Sequence, residues 1–350
     1  MRLQLESFTV HKRFALTISR GTTTQTTNVW VRIEQDGIEG WGEASPFSVG
    51  GSQTSETLMA SLEAIAPLLT SLTPFDQGPV ERLMTQVKLP SAARNALDVA
   101  MHDWVGKKLG VPLWQLWGGE LDRIVPTSVT IGISSPDDAR KRMRHWLKQL
   151  GPDNVRAVKI KLGSPAGIEA DQSMLLAVKA NAPQDAKFSI DANGGWTVEE
   201  ALYMGDWLAD QGITYIEQPL SQGQESDLPK LYRRSPLPII VDESCFNSQD
   251  IPALAPCVHG INIKLMKCGG LSEALRMVYT AQAHGLQIMF GCYSDSTLAN
   301  TAAAQLAPFA NHLDLDSHLN LIDDPFSGAN IMQGRLSPTT QPGIGVTVVH

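Results

Sequence analysis

Cysteine is scarce in this sequence and shows no pairing pattern. The 350 residues contain four cysteines, with no Cys-x-x-Cys pair, and the eight histidines show no metal-ligand spacing. This absence argues against a zinc site and a disulfide framework, and it is typical of reduced thiols in the cytoplasm, which is the predicted location. The four cysteines are Cys245, Cys257, Cys268 and Cys292.

The sequence also lacks basic clusters and long apolar runs. Lysine and arginine total 28 against 36 aspartates and glutamates, which gives a formal net charge of −8. Nucleic acid and anionic membrane are therefore not expected as partners. No stretch reaches transmembrane length, and the opening MRLQLESFTVHKRF contains no apolar signal core, so no membrane association is predicted.

The composition and length of the chain favour a folded protein with two domains. Apolar residues make up 43% of the chain and charged residues 18%, which is typical of a globular protein. A length of 350 residues exceeds one ordinary core and suits a barrel with a smaller companion.

Residues 1–122 are predicted to form an α+β unit. Three strands fall within residues 3–45, and the Thr-rich segment FALTISRGTTTQT between the first two is predicted to be a mobile loop. Apolar residues at helical spacing then predict three helices, at 54–72, 76–88 and 91–109.

From residue 123 short apolar strands alternate with helical segments, and a charged residue closes most strands. This rhythm predicts an α/β fold with a parallel barrel over 123–320, whose chemistry lies at the C-terminal ends of the strands. A doubly wound open sheet is the alternative. The turn-rich segment 321–350 is expected to pack back on the first unit. The eight predicted strands are 127–133, 157–163, 188–194, 213–219, 237–244, 260–267, 287–294 and 312–318.

Two lysines on the second barrel strand are candidate bases. Strand alternation places Lys159 and Lys161 on one face, and the apolar residues between them suit the surrounding helices, so both lysines are predicted to point inward. Two buried ammonium groups side by side are expected to lower each other's pKa. Exposed lysines on an edge strand are the alternative.

Three carboxylates end the next three strands. Asp191, Glu217 and Asp242 are predicted to converge on one small volume, where they would repel each other unless a cation is bound. An all-oxygen site with spare positions suits Mg²⁺. Each residue alone could equally be a helix cap or part of a salt bridge.

Lys264 ends the following strand and is predicted to face Lys161 across the barrel mouth. Two lysines on opposite sides of a metal-bound substrate form an arrangement that removes a proton from one face of a carbon and returns one to the other.

At this point the motifs resemble a known family. The segments KIK, DAN, IEQP, VDES and NIKLMKCGG, together with GWGEASP and SAARNALDVAMHDW, resemble the muconate-lactonizing branch of the enolase superfamily over essentially the whole chain. The resemblance implies a modified TIM barrel, (β/α)7β, with a capping domain and one Mg²⁺ on the three carboxylates. It also implies acid/base roles for Lys161 and Lys264, with Lys159 supporting the substrate carboxylate. The mandelate-racemase branch is disfavoured, because GCYSD stands where its histidine would be.

The last barrel strand, HLDLDSH, places Asp314 and Asp316 on one face. Two carboxylates there suit an ammonium group, and the strand resembles that of superfamily members that epimerise dipeptides. Capping or salt-bridged aspartates, or a second metal site, are the alternatives. Further substrate contacts are expected from Thr130 and from Arg20, which either pairs with an acidic side chain, as in the Ala-Glu epimerases that FALTISRG resembles, or only rims the loop. Asp295 is a further expected contact, and its charge favours a basic or polar second residue over an acidic one.

The sequence therefore predicts an Mg²⁺-dependent isomerase: a dipeptide epimerase acting by 1,1-proton transfer at the α-carbon of the C-terminal residue, with L-Ala-D/L-Glu as one candidate substrate. The alternatives within the superfamily are o-succinylbenzoate synthase, N-acylamino acid racemase and cycloisomerase. A barrel that has lost catalysis and only binds ligand is a further alternative. The expected partner is a small dipeptide, and a homo-oligomer is left open.

Overall fold

The computed structural model describes residues 1–49 and 53–349. The chain begins with an antiparallel sheet in the order β1-β2-β3. Its strands are β1 (Arg2–Ile18), β2 (Gly21–Gln35) and β3 (Ile38–Ala44).

The predicted loop over residues 14–26 is wrong, because β1 and β2 continue through it as a hairpin arm that turns at Ser19 and Arg20. The many threonines favour a strand, since branched side chains suit a pleated surface and pair across it. The hydroxyls of Thr17 and Thr22, for example, lie 2.9 Å apart across the arm.

The arm reaches the barrel. Its strand register shifts between His11 and Leu16, an irregularity of the kind that bends a strand. Beyond the shift, the carbonyl of Thr17 accepts a hydrogen bond of 2.8 Å from the amide of Ile133. The tip of the first unit is thereby held over the end of the first barrel strand.

The helices of the first unit follow the predicted pattern. The longest ends at Gly110, whose φ of 75° gives the left-handed cap that glycine adopts easily. These helices are α1 (Ser55–Ile65), α2 (Gln77–Gln86), α3 (Ser91–Leu109) and the short α4 (Leu113–Leu116).

Helix α3 lies directly on β3, and two glycines make this possible. A Cβ atom at Gly40 or Gly42 would lie 2.0 Å from the carbonyl oxygen of Ala100 or Ala96, respectively. No side chain fits in that space, so the GWG of β3 is explained by close backbone approach.

Eight parallel strands follow, hydrogen-bonded in the same order as they occur in the chain. A bridge between Thr127 and Leu313 joins the first strand region to the last and closes the ring. The sequential order and the closure confirm the modified barrel and rule out the doubly wound alternative. The strands are β4 (Ser128–Ile131), β5 (Ala157–Lys161), β6 (Lys187–Asp191), β7 (Ile213–Glu217), β8 (Ile239–Val241), β9 (Gly260–Ile263), β10 (Gln287–Gly291) and β11 (His312–Asp314).

Helices separate successive barrel strands, whereas β11 is followed by a 3-10 turn at Ser317–Asn320. This pattern is the predicted (β/α)7β arrangement. The helices are α5 (Pro136–Leu150), α6 (Ile168–Lys179), α7 (Val198–Asp210), α8 (Leu228–Arg234), α9 (Ile251–Leu254), α10 (Leu265–Cys268), α11 (Leu271–Ala283) and α12 (Thr297–Ala304).

The C-terminal segment contacts the first unit. The ring of Phe326 packs edge-on against Phe8 with centroids 5.6 Å apart, and the amide of Ile344 donates a 2.8 Å hydrogen bond to Asp103. The domain boundaries at residues 122 and 320 stay predictions. The segment contains β12 (Phe326–Ser327), β13 (Asn330–Met332), β14 (Arg335–Ser337) and β15 (Thr347–Val348).

All four cysteines are free thiols. Within residues 1–49 and 53–349, no helix combines the length and the apolar character that a membrane span requires.

Candidate active site

The register of the barrel gathers the predicted site residues at one end. Neighbouring strands pair Thr130 with Lys159, Lys161 with Asp191, and Asp191 with Glu217. All five of these residues are buried. Because parallel strands end at the same edge, these polar side chains form a continuous belt at the barrel mouth.

Lys159 lies at the centre of the belt and is fully buried. Its ammonium group contacts the carboxylate of Glu217, lies 2.7 Å from Asp314 Oδ2, and lies 3.7 Å from Asp191 Oδ2. Burial by itself lowers the pKa of Lys159, but these carboxylates outweigh burial and raise that pKa well above its usual value. The expectation of a depressed pKa is therefore wrong for Lys159, which is a fixed cation here.

The two candidate bases lie at opposite ends of the row of carboxylates. Lys161 Nζ is 2.6 Å from Asp191 Oδ2, and Lys264 Nζ is 2.8 Å from Asp242 Oδ2. Strands β6, β7 and β8 lie between the strands that carry the two lysines. Any substrate placed above the carboxylates would therefore have one lysine on each side.

The three carboxylates differ in how well they are neutralised. Burial raises their pKa values, but the ammonium groups of Lys161 and Lys264 more than offset this for Asp191 and Asp242 respectively, whose pKa values are lowered. For Glu217, burial and the neighbouring Asp191 dominate and raise the pKa to about 7. Glu217 is thus the carboxylate with the least compensation.

The lysines stand in contact with the carboxylates that were predicted to share a cation. Within the described residues, no three acidic, histidine or cysteine side chains are grouped closely enough to hold an ion by themselves. The donor chemistry nevertheless fits a hard cation, because Asp191, Glu217 and Asp242 offer carboxylate oxygens at the ends of adjacent strands. Asn193 Oδ1 and Glu243 Oε2, beside them, are buried oxygens without a hydrogen-bond partner.

Side chains around the carboxylates fix their orientation. Asn262 Nδ2 donates a 2.8 Å hydrogen bond to Glu217 Oε1, and Lys267 Nζ lies 2.7 Å from Asp242 Oδ1. Sequence reasoning missed Asn262. Strand alternation could have found it, since it precedes Lys264 by two residues and so lies on the same face.

Asp314 and Asp316 form a second acidic group beside Lys159. Asp314 accepts a 2.6 Å hydrogen bond from the hydroxyl of Ser128, and Asp316 accepts one of 2.6 Å from the amide of Thr130. Burial, and then the charge of Asp314, raise the pKa of Asp316 to about 6. Both aspartates and Lys161 line a cavity of about 170 Å³, called here the inner cavity.

A second, wider cavity of about 490 Å³ lies above the lysines, and we call it the outer cavity. Lys161 and Lys264 both line it, and four residues are shared with the inner cavity: Leu16, Lys161, Cys292 and Tyr293. The two spaces therefore meet at a candidate base. The apolar side chains around the outer cavity are Leu16, Ile18, Pro46, Phe47, Val49 and Tyr293.

Tyr293 also was missed from the sequence. Its ring stacks on Phe47 with centroids 4.7 Å apart and planes inclined by 8°, and Lys264 Nζ lies 4.4 Å from the ring centroid. Only the fold reveals this arrangement, because the three residues come from distant parts of the chain.

Of the other predicted substrate contacts, Arg20 lines a cavity and Asp295 does not. Arg20 lines the outer cavity, but its guanidinium donates to Glu243 Oε1 at 2.6 Å and to the carbonyl of Asn193 at 2.7 Å. Asp295 is buried and accepts a 3.0 Å hydrogen bond from the amide of Tyr293. It lines neither cavity, so the structure lends no support to a substrate contact by Asp295.

Comparison with known proteins identifies the family. Residues 138–350 match the family described as enolase C-terminal domain-like, and residues 4–118 match the mandelate racemase / muconate lactonizing enzyme N-terminal domain. The chain belongs to the enolase superfamily. The predicted family is thereby confirmed.

Relatives within this superfamily are epimerases. The chain is 44% identical to a hydrophobic dipeptide epimerase of Flavobacteria bacterium (strain MS024-2A), covering 99% of this chain and 97% of the relative. It is 42% identical to another hydrophobic dipeptide epimerase, from Roseobacter litoralis, over 100% of both. These relatives confirm the prediction that this chain is an isomerase.

A solved structure supports the same conclusion. Dipeptide epimerase from Enterococcus faecalis V583, complexed with Mg and the dipeptide L-Leu-L-Tyr, superposes with a TM-score of 0.90. It is 31% identical, and the match covers 99% of each chain. The barrel and cap described above therefore have the same architecture as those of this dipeptide epimerase.

Proposed function

We propose that this chain is an Mg²⁺-dependent dipeptide epimerase that inverts the α-carbon of the C-terminal residue by 1,1-proton transfer. The observation that carries the proposal is the placement of Lys161 and Lys264 at the two ends of the carboxylate row, lining one cavity. Two bases on opposite sides of a carbon allow one to remove the α-proton while the other, as its conjugate acid, delivers a proton to the opposite face.

The carboxylates Asp191, Glu217 and Asp242 would hold Mg²⁺. Held by these residues, the ion would stabilise the negative charge that develops on the substrate carboxylate. The fixed cation Lys159 adds positive charge at the same place. A divalent ion would also compete with Lys161 and Lys264 for Asp191 and Asp242, which would leave those lysines freer to act as bases.

Asp314 and Asp316 would bind the free ammonium group of the dipeptide. They line the inner cavity together with Lys161. If the ammonium group of the first residue is bound there, the α-carbon of the second residue comes next along the dipeptide, toward the candidate base. The alternative substrates of o-succinylbenzoate synthase, N-acylamino acid racemase and cycloisomerase have no ammonium group and would leave the buried Asp316 without a cation to pair with.

An apolar C-terminal residue fits better than glutamate. The outer cavity is walled by side chains such as Leu16, Ile18 and Phe47, and the one arginine on its wall, Arg20, is already neutralised by Glu243. The names of the two close relatives, both hydrophobic dipeptide epimerases, point the same way.

The test is α-deuterium exchange in D₂O. The purified chain with Mg²⁺ is incubated with L-Leu-L-Leu, L-Ala-L-Leu and L-Ala-L-Glu, and deuterium at the second residue is followed by mass spectrometry. We expect exchange and appearance of the L,D epimer, fastest with an apolar second residue. Absence of exchange with every dipeptide, with Mg²⁺ shown to be bound, would instead favour a barrel that only binds ligand.

A further inference from the structure

We propose that the inner cavity selects a dipeptide whose first residue is acidic, with Arg142 and Lys12 binding that side-chain carboxylate. The inference rests on the proposed epimerase function and adds a substrate class to it. Both cations line the inner cavity together with Asp314 and Asp316. A dipeptide held by those aspartates would therefore place its first side chain beside them.

Arg142 contacts two aromatic rings but forms no ion pair with any residue that the structure describes. Its guanidinium carbon lies 4.2 Å from the ring centroid of Phe14 and 4.2 Å from that of Trp146. Trp146 is one helical turn further along α5, and Phe14 comes from the hairpin arm of the cap. Cation–π contact with the two rings holds the guanidinium at the cavity wall and restricts its movement.

The guanidinium of Arg142 has an unsatisfied donor among the described residues. Its Nη1 atom is buried and has no hydrogen-bond partner, and no ion pair to this side chain occurs among residues 1–49 and 53–349. A guanidinium offers five donors, and buried donors in native proteins almost always find an acceptor. A planar carboxylate from the ligand is the acceptor that matches this fork.

Lys12 adds a second cation to the same wall. It comes from β1, within the register shift between His11 and Leu16, and its ammonium group forms no ion pair within the described part of the chain. Burial lowers the pKa of Lys12, with Cys292, Asp295 and Asp316 acting in the opposite direction. Neither Lys12 nor Arg142 thus has a carboxylate of its own.

Two of the three acidic residues that line the inner cavity are already paired with other cations. Asp314 is paired with Lys159 at 2.7 Å, and Asp138 at the rim is paired with Lys141 at 2.9 Å. Asp316 remains, and it would bind the substrate ammonium group. With that ammonium in place, the cavity holds three positive groups near one free carboxylate, so an anionic side chain is favoured electrostatically.

A purely structural role for Arg142 is the competing explanation. Its charge lies near Asp316 and acts to lower the pKa of that carboxyl, so Arg142 could serve only to keep Asp316 ionised. In that case it would affect every dipeptide equally, because every dipeptide carries the same ammonium group. The two explanations therefore differ in substrate preference and not in total activity.

The experiment compares L-Glu-L-Leu with its neutral isostere L-Gln-L-Leu in the α-deuterium exchange assay, using the whole chain with Mg²⁺. A charge-assisted interaction of this kind predicts kcat/KM about tenfold or more higher for L-Glu-L-Leu. L-Leu-L-Leu serves as the reference for an apolar first residue. This comparison needs no variant, so it does not depend on the folding of a mutant.

The variants Arg142→Met and Lys12→Met then test whether these two cations cause the preference. Each is expected to reduce the Glu/Gln preference, and the double variant is expected to bring the ratio to about one. Lys148→Met is the matched control, since Lys148 also lies on α5 but is exposed and lines neither cavity. It should leave the ratio unchanged.

Equal turnover of the Glu and Gln dipeptides by the unmodified chain overturns the inference while leaving epimerisation intact. A fall of equal size for both substrates in Arg142→Met also overturns it, in favour of the role toward Asp316. Absence of exchange with all three dipeptides is a different result, because it rejects the proposed function itself.

Discussion

The guanidinium of Arg20 donates a 2.6 Å hydrogen bond to the carboxylate of Glu243. This ion pair joins the tip of the cap hairpin to the residue that follows Asp242 at the barrel mouth. Because Arg20 also donates to the carbonyl of Asn193, the hairpin arm is fastened over the outer cavity. The pair also neutralises Arg20 on the wall of that cavity, so this arginine is less able to attract an acidic second residue.

Replacing Glu243 by glutamine should therefore release Arg20 and shift specificity. We expect Glu243→Gln to raise kcat/KM for L-Ala-L-Glu relative to L-Ala-L-Leu by about tenfold, which is the scale of one new charge-assisted hydrogen bond. The ratio of exchange rates for the two dipeptides measures this. The double variant Arg20→Met, Glu243→Gln is the control and should lose the gain. An unchanged ratio in the single variant would show that Arg20 does not reach the second side chain.

Lys161 and Lys264 should each serve one epimer. Replacing either lysine by alanine should lower α-proton exchange of one epimer by about a thousandfold, the scale of a lost general base. The other lysine should still exchange its own epimer. Separate D₂O exchange of L,L- and L,D-Leu-Leu measures this, and the exposed Lys148→Ala is the control. Exchange of both epimers at the unmodified rate in both variants would reject the two-base assignment.

Protonation of Asp316 should weaken substrate binding at acid pH. Its pKa is raised to about 6 by burial and by Asp314, and only the ionised form binds an ammonium group. As the pH falls below about 6, we expect KM for a dipeptide to rise about tenfold per pH unit. Protonation of a lysine base would lower kcat instead, so the two effects are separable in a pH series.

The variant Asp316→Asn tests the same group without changing the pH. It should raise KM by about tenfold or more, because one partner of the substrate ammonium becomes neutral. Its KM should no longer depend on pH between 5 and 7, a window chosen to bracket the pKa of about 6. A KM that still rises in acid would assign the effect to another group.

The belt of charged strand ends could be predicted because strand alternation and the βα rhythm are local properties of the sequence. Lys161, Asp191 and Glu217 each close a short apolar strand, and in a parallel barrel such ends must meet. The same local reasoning fails at residues 14–26, where the threonines belong to a paired strand and not to the predicted loop.

Other parts of the site depend on distant contacts that no local pattern contains. The pairing of Arg20 with Glu243 joins residues 223 positions apart. Arg142 looks in the sequence like one more charge on the polar face of a helix, and only its position between Phe14 and Trp146 shows otherwise. The pKa of Lys159 likewise could not be predicted, because its carboxylate partners come from three other strands.

Tyr293 should act as a positioning residue for Lys264. The ring centroid lies 4.4 Å from Lys264 Nζ, and stacking on Phe47 holds the ring in place. A cation over an aromatic face is attracted by about 0.5–2 kcal/mol, which is enough to hold a flexible lysine side chain in one orientation. Loss of the ring should therefore impair only the step that Lys264 performs.

The test compares Tyr293→Phe, which keeps the ring, with Tyr293→Leu, which removes it. We expect Tyr293→Leu to slow α-proton exchange about tenfold for the epimer that depends on Lys264, and Tyr293→Phe to retain that exchange. The epimer that depends on Lys161 is the internal control, since a general loss of folding would slow both. If Tyr293→Leu slows the two epimers equally, the ring acts on the cavity as a whole. If Tyr293→Phe is as slow as Tyr293→Leu, the hydroxyl and not the ring is the group that matters.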